Sequence, residues 1–274
     1  IRRERARRDS SQMRTALTIA GSDSGGGAGI QADLKTFAAH GVFGLTAITA
    51  VTAQNTLTVS RVVALPPDMV TAQIDAIASD FPIHATKIGM LANAAIVEAV
   101  AAAVEDLQIP FLVVVPVMIA KSGDRLLDDE ALGAMKMELI GQAYLVTPNI
   151  PEAETLTNIE IRNEDDRKEA ARRIVDMGAT AVVIKGGHLP SDDISDLLLH
   201  DGEFVEFRQA RVPGRHTHGT GCTFAAAITS HLALGHSLRD AVRDAQHYVA
   251  EAIRHAPELG RGHGPLGHFF AFTR

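Results

Sequence analysis

The run Ala20-Gly21-Ser22-Asp23-Ser24-Gly25-Gly26-Gly27-Ala28-Gly29 opens a helix-like segment that carries Asp33. Glycines beside a helix start expose backbone N–H groups, which suit an anion or close approach to a flat ligand. No Gly-Lys-Ser/Thr follows, so this is not a Walker A loop, and the spacing and ribose acid of a dinucleotide fingerprint are missing. A tight strand-to-helix turn would use the same glycines. Asp23 and Asp33 tip the reading toward ligand contact, since Asp33 lies one turn into the helix and could face a cleft.

A second cluster, His218-Gly219-Thr220-Gly221-Cys222-Thr223, directly precedes an Ala-rich helix. Gly219 and Gly221 at a helix start offer converging N–H donors where negative charge develops. Cys222 falls in the first turn, where the helix field is expected to lower a thiol pKa and favour thiolate. It could then take the proton of an attacking alcohol; a small buried residue at a helix cap is the plainer alternative. In Thr147-Pro148-Asn149-Ile150-Pro151-Glu152-Ala153-Glu154, Asn149 and Glu152 can share one face and hold a hydrated Mg²⁺ between phosphates. The same spacing is also that of a capping box.

Lys121 and Lys185 stand near strand ends, where either could neutralise a transferring phosphoryl group or simply snorkel to solvent. Gln54 ends a strand, and its amide offers the donor and acceptor that an aminopyrimidine edge needs. Met90 could pack on a ring. His216-x-His218 and His263 with His268 lack the spacing and Cys partners of a zinc site, and no Gly-x-Ser-x-Gly elbow marks a serine hydrolase.

These residues must be positioned by the elements between them. Short apolar strands are expected at 16–20, 45–52, 85–88, 111–115, 144–147 and 181–185. Helices are expected at 30–39, 67–79, 94–106, 129–140, 165–177, 221–234 and 237–255. Such alternation predicts an α/β sandwich with a mostly parallel sheet covered on both faces. Asp201-Gly202 predicts a hairpin between 196–200 and 203–207. In such sheets ligands sit beyond the carboxyl ends of the strands, so the six loops that hold the polar clusters should line one cleft.

The chain has 274 residues with 22 % charged and 46 % hydrophobic content, enough for one large domain, here 13–274. Residues 1–12 hold five Arg against Glu4 and Asp9 and are expected to be a disordered leader rather than a basic arm or transit peptide. The formal net charge of −7 argues against a nucleic-acid partner. The Ala92–Val104 stretch is too short and too interrupted to span a bilayer. A single cysteine fits a reducing, cytoplasmic setting.

Taken in order, the motifs resemble those of the hydroxymethylpyrimidine/phosphomethylpyrimidine kinases of thiamine synthesis, from about Ala16 to Phe270. Besides the clusters above they include Ala53-Gln54-Asn55-Thr56, Lys87-Ile88-Gly89-Met90-Leu91, Ala120-Lys121-Ser122-Gly123-Asp124, Lys185-Gly186-Gly187-His188 and Gly262-His263-Gly264-Pro265. The resemblance implies a ribokinase-like three-layer sandwich that uses Mg-ATP, and a homodimer without a shared active site. It places Gly21, Asp23, Asp33, Gln54, Met90 and Val117 against the pyrimidine. Gly219 and Gly221 would form an anion hole beside Cys222 as base. Asn149, Glu152, Lys185 and Thr220 would face nucleotide and metal. Val115 departs from the resemblance, which implies an Asp there, so Glu152 is left to hold Mg²⁺ through water and transfer should be slower. A pyridoxal kinase and a weakened pyrimidine sensor are the competing readings.

Overall fold

The computed structural model describes residues 13–118, 127–187 and 193–272. The leader at 1–12, the Lys121–Asp124 cluster and His188 lie outside these described residues.

Nine strands form one sheet: β1 (Thr15–Asp23), β2 (Phe43–Gln54), β3 (Val59–Ala64), β4 (Ala85–Ile88), β5 (Leu112–Val114), β6 (Leu145–Val146), β7 (Ala181–Ile184), β8 (Asp193–His200) and β9 (Glu203–Ala210). Their order is β3-β2-β1-β4-β5-β6-β7-β8-β9. The strands from β2 to β7 in that order pair in parallel. β3 at one edge, and β8 and β9 at the other, are antiparallel. Asp201 and Gly202 both take positive φ, 51° and 76°, which suits the two-residue hairpin that their sequence predicts.

The helices are α1 (Gly29–Ala39), α2 (Pro67–Ala78), α3 (Ala94–Leu107), α4 (Asp129–Ala134), α5 (Ile150–Thr157), α6 (Glu164–Asp176), α7 (Thr220–Ala233) and α8 (Leu238–Arg254). Side chains alternate across a strand, so the central strands feed two cores. Leu17, Val114 and Ile184 pack on one side with Ile74 of α2, Val97 of α3 and Ile174 of α6. Ala16, Val113 and Val183 pack on the other with Phe37 of α1, Ile228 of α7 and Val242 of α8. Three layers follow from that alternation.

Three elements depart from expectation, one of them the eight-residue α5, too short to show a helical period in the sequence. β3 has no counterpart in the sequence reading, because it is an edge strand whose Ser60–Ala64 are all exposed and carries no burial signal. The helix expected over 129–140 ends at Ala134 and continues as one π turn, Met135–Leu139.

From β1 the chain runs outward to β2 and β3, then returns to place β4 on the other side of β1. This reversal opens a crevice at the carboxyl ends of β1 and β4.

Candidate active site

A single cleft of about 990 Å³ lies at that crevice. Gly21 and Asp23 reach it from β1, Gln54 from β2, Met90 from the loop after β4, and Val115 and Val117 from the segment after β5. Asn149 and Glu152 at α5, Lys185 after β7, and Gly219, Thr220, Gly221 and Cys222 at α7 complete it. Of the described candidates only Asp33 is missing from the wall.

The glycine loop is held by its own acid. Asp23 Oδ1 accepts from the Gly25 amide at 2.8 Å. Its Oδ2 accepts from Gly27 at 3.1 Å, from Ala28 at 2.8 Å and from His218 Nε2 at 2.8 Å. Burial works to raise the Asp23 pKa, but the His218 hydrogen bond and charge, with the loop amides, hold it below the usual carboxylate range. Asp23 thus organises the glycine loop while it also lines the cleft.

His218 also meets Gln54 Nε2 at 3.3 Å, and Ser24 ties the glycine loop to the Gln54 backbone at 2.8 Å. The closing Gly262–Pro265 motif braces the same corner. The Gly262 and His263 amides donate to Thr56, and the His218 amide donates to Gly264.

The two glycine clusters interlock. Gly219 has φ +82°, and a Cβ there would stand 1.7 Å from the Gly27 carbonyl oxygen. Only glycine permits that approach. Gly219 is also the N-cap of α7 and supplies no side-chain cap; the Thr220 amide turns back to Thr217 O at 3.4 Å, which leaves the Gly221 and Cys222 amides open at the cleft among the described residues. The Thr220 hydroxyl is turned away from this task and donates to Thr217 O at 2.7 Å.

α5 begins differently. The Asn149 side chain accepts from the Glu152 amide at 2.9 Å, and Glu152 Oε2 accepts from the Asn149 amide at 2.7 Å. This is the capping box that the spacing allowed. Lys185 Nζ stands 3.9 Å from Glu152 Oε2. Burial pushes the Glu152 pKa up, against the pull of Lys185 and of the Asn149 amide.

Asp33 is fully buried beneath the floor rather than facing the cleft. Its Oδ2 accepts from Lys87 Nζ at 2.8 Å and Thr18 Oγ1 at 2.6 Å, while Oδ1 has no partner. Lys87 lines the cleft. Burial works against its charge, but the facing Asp33 carboxylate overrides that and keeps it protonated. Sequence reasoning gave Lys87 no role, although a lysine inside the four-residue apolar strand β4 is itself a signal: a buried ammonium needs an acid.

Asp196 was likewise overlooked. It interrupts the apolar run of β8, where it is 4 % exposed. It accepts from the Gly186 amide at 2.9 Å and from Gln246 Nε2 at 2.8 Å, which fixes the backbone just after Lys185.

Cys222 lines the cleft beside Lys87, Lys185 and the Gly29 amide. Burial nevertheless pushes the thiol pKa up, against the lysines and that amide. The lowered pKa expected from the helix start is therefore reversed, because desolvating a thiolate outweighs the helix field and both cations.

An open helix start, two lysines, a capping-box acid and the Gln54 amide therefore line one cleft. The family model for phosphomethylpyrimidine kinase matches residues 23–267. The chain belongs to the phosphomethylpyrimidine kinase family. It is 52 % identical over 260 residues to the hydroxymethylpyrimidine/phosphomethylpyrimidine kinase of Bacillus subtilis, covering 94 % of this chain and 96 % of that one. The phosphomethylpyrimidine kinase structure from Clostridium difficile 630 superposes with a TM-score of 0.79 at 44 % identity, over 88 % of this chain and all of that one. The Staphylococcus aureus pyridoxal kinase, in complex with AMP-PCP and pyridoxal, gives 0.88 at 36 % identity, over 96 % of each chain. The architecture is thus the ribokinase-like sandwich of this kinase family.

Proposed function

We propose that this kinase transfers the γ-phosphoryl group of ATP to the hydroxymethyl oxygen of 4-amino-5-hydroxymethyl-2-methylpyrimidine, and then a second phosphoryl group to the monophosphate, in thiamine diphosphate biosynthesis. The observation that carries the reading is that Gln54 and Cys222, far apart in sequence, line one cleft. Gln54 suits the aminopyrimidine edge, with Met90 and the Gly21 backbone against the ring and Val117 as an apolar wall. The open amides of α7 at Gly219 and Gly221, with Lys185, face the charge that builds on the transferring group. The hydroxyl oxygen bonds to phosphorus as the bond to ADP breaks, and Cys222 takes the hydroxyl proton.

Glu152 is the acid at the phosphate side of the cleft, and with Asn149 in its capping box it suits a hydrated Mg²⁺ held through water. When bound, that ion spreads the phosphate charge. Val115, 3 % exposed, offers it nothing. The remaining expectations stand as parts of the same proposal: a single domain over 13–274, a cytoplasmic setting consistent with one free cysteine, and a homodimer. Among the described residues no helix is long and apolar enough to cross a membrane. Val51 and Val63, paired directly across β2 and β3, are 47 % and 51 % exposed. Such an apolar strip suits a second copy, and sedimentation of Val63→Glu should shift the dimer toward monomer.

The deciding assay is ATP consumption driven by the pyrimidine alcohol. Dependence on the alcohol supports the kinase, and binding without turnover would turn the reading to a sensor. The overlap with a pyridoxal-bound relative makes pyridoxal the second substrate to measure. A higher kcat/KM for pyridoxal would reverse the substrate assignment.

A further inference from the structure

The last turn of α7, the turn after it, and α8 bring together His231, His236 and Asp244. One ligating atom from each lies within 4.8 Å of the others. The trio escapes a motif scan because its acid comes from the following helix. Two imidazoles and a carboxylate suit a borderline ion such as Zn²⁺, whereas Mg²⁺ and Ca²⁺ prefer all-oxygen shells.

Ligands around a tetrahedral zinc sit about 3.3 Å apart when bonds are about 2.0–2.1 Å. Closure therefore asks only for small rotations, and His236 is exposed and can supply them. His231 is positioned from behind by the His40 ring, edge-on at a centroid distance of 4.9 Å. Its Nδ1 is buried with no hydrogen-bond partner. Asp244 accepts from Arg243 Nε at 2.9 Å. Arg243 is 59 % exposed and is the cation that a metal would partly replace.

We propose that His231, His236 and Asp244 form a structural site for one Zn²⁺-type divalent transition-metal ion, which clips the end of α7 to α8. None of the three lines the cleft. His231 stands nine residues beyond Cys222 on the same helix, about 14 Å along its axis, so the site lies outside the phosphoryl-transfer centre. An ion that binds only the folded chain stabilises it by mass action.

The test is a Zn²⁺ titration of the tag-free chain by calorimetry, paired with thermal melts. Wild type should take up one Zn²⁺ at this site, and its Tm should rise by about 4 °C at a hundredfold excess over Kd. His236→Ala and Asp244→Asn should each weaken that uptake by at least ~10-fold, with Mg-ATP turnover unchanged. His247→Ala, an exposed histidine on the same helix, should bind as wild type does, and Arg243→Gln should bind more tightly. Absence of zinc uptake by wild type would overturn the proposal. So would equal affinity of His236→Ala and His247→Ala, which would show zinc held by scattered surface histidines.

Discussion

α5 and α7 both begin in the cleft, and they treat their first-turn amides in opposite ways. At α5, Asn149 and Glu152 satisfy each other's backbone in a capping box. At α7, Gly219 provides no cap at all. A helix start left open is a ready anion site, whereas a closed one has spent its donors and presents a carboxylate instead. Under the proposed function, the contrast puts phosphate on the α7 side and the metal on the α5 side. Two helix starts in one cleft thus leave their backbone donors in opposite states.

The sharpest way to break this contrast is to close the open end. In Gly219→Ala the new methyl must displace the Gly27 carbonyl, and kcat should fall by roughly 10²–10³-fold, the loss seen when an oxyanion donor is misplaced. Near-normal turnover would mean that α7 does not cradle phosphate.

Cys222→Ala should lower kcat by about 100-fold with little change in KM, as expected for a lost proton acceptor. The pH profile adds a signature. The thiol titrates above its ordinary 9.0 because burial disfavours the thiolate, so the base form is the minor form at neutral pH. Wild-type kcat should then keep climbing with pH toward and past that value, and the limb should be missing in Cys222→Ala. A flat wild-type profile would leave Cys222 a packing residue.

Opening the closed end should cost less. Asn149→Ala removes the acceptor for the Glu152 amide and should lower stability by about 1 kcal/mol, the usual cost of a lost cap, read from urea melts. Unchanged stability would mean that the box is decorative. The smallest effect is expected from Val115→Asp, which adds an acid beside the metal side of the cleft. It should tighten the Mg²⁺ dependence or raise kcat a few-fold, and identical Mg²⁺ titrations would remove Val115 from the account.

Much of this was legible before any coordinates. Runs such as Ala181–Ile184 are short, β-branched and buried on both faces, and that pattern carries the parallel sheet. β3 was not legible, because an exposed edge strand shows no burial pattern. Asn149 and Glu152 were legible as a pair with two possible roles, and geometry gave the capping role while leaving the carboxylate in the cleft. Asp23 and Asp33 looked alike on paper, ten residues apart on one strand–loop–helix unit. One proved to be the organiser of a loop, lowered in pKa by His218 and amides. The other is a buried counter-ion to Lys87.

The sequence by itself determined the periodicity, and with it the layers, the strand ends and the glycines that permit close backbone approach, since these depend on neighbours a few residues away. Only the tertiary structure decided which titratable groups meet: Asp33 with Lys87, Asp23 with His218, Cys222 with two lysines, His231 with Asp244. Such pairings join distant segments, and whether burial or a partner sets a group's ionisation depends on the packing that brings them together.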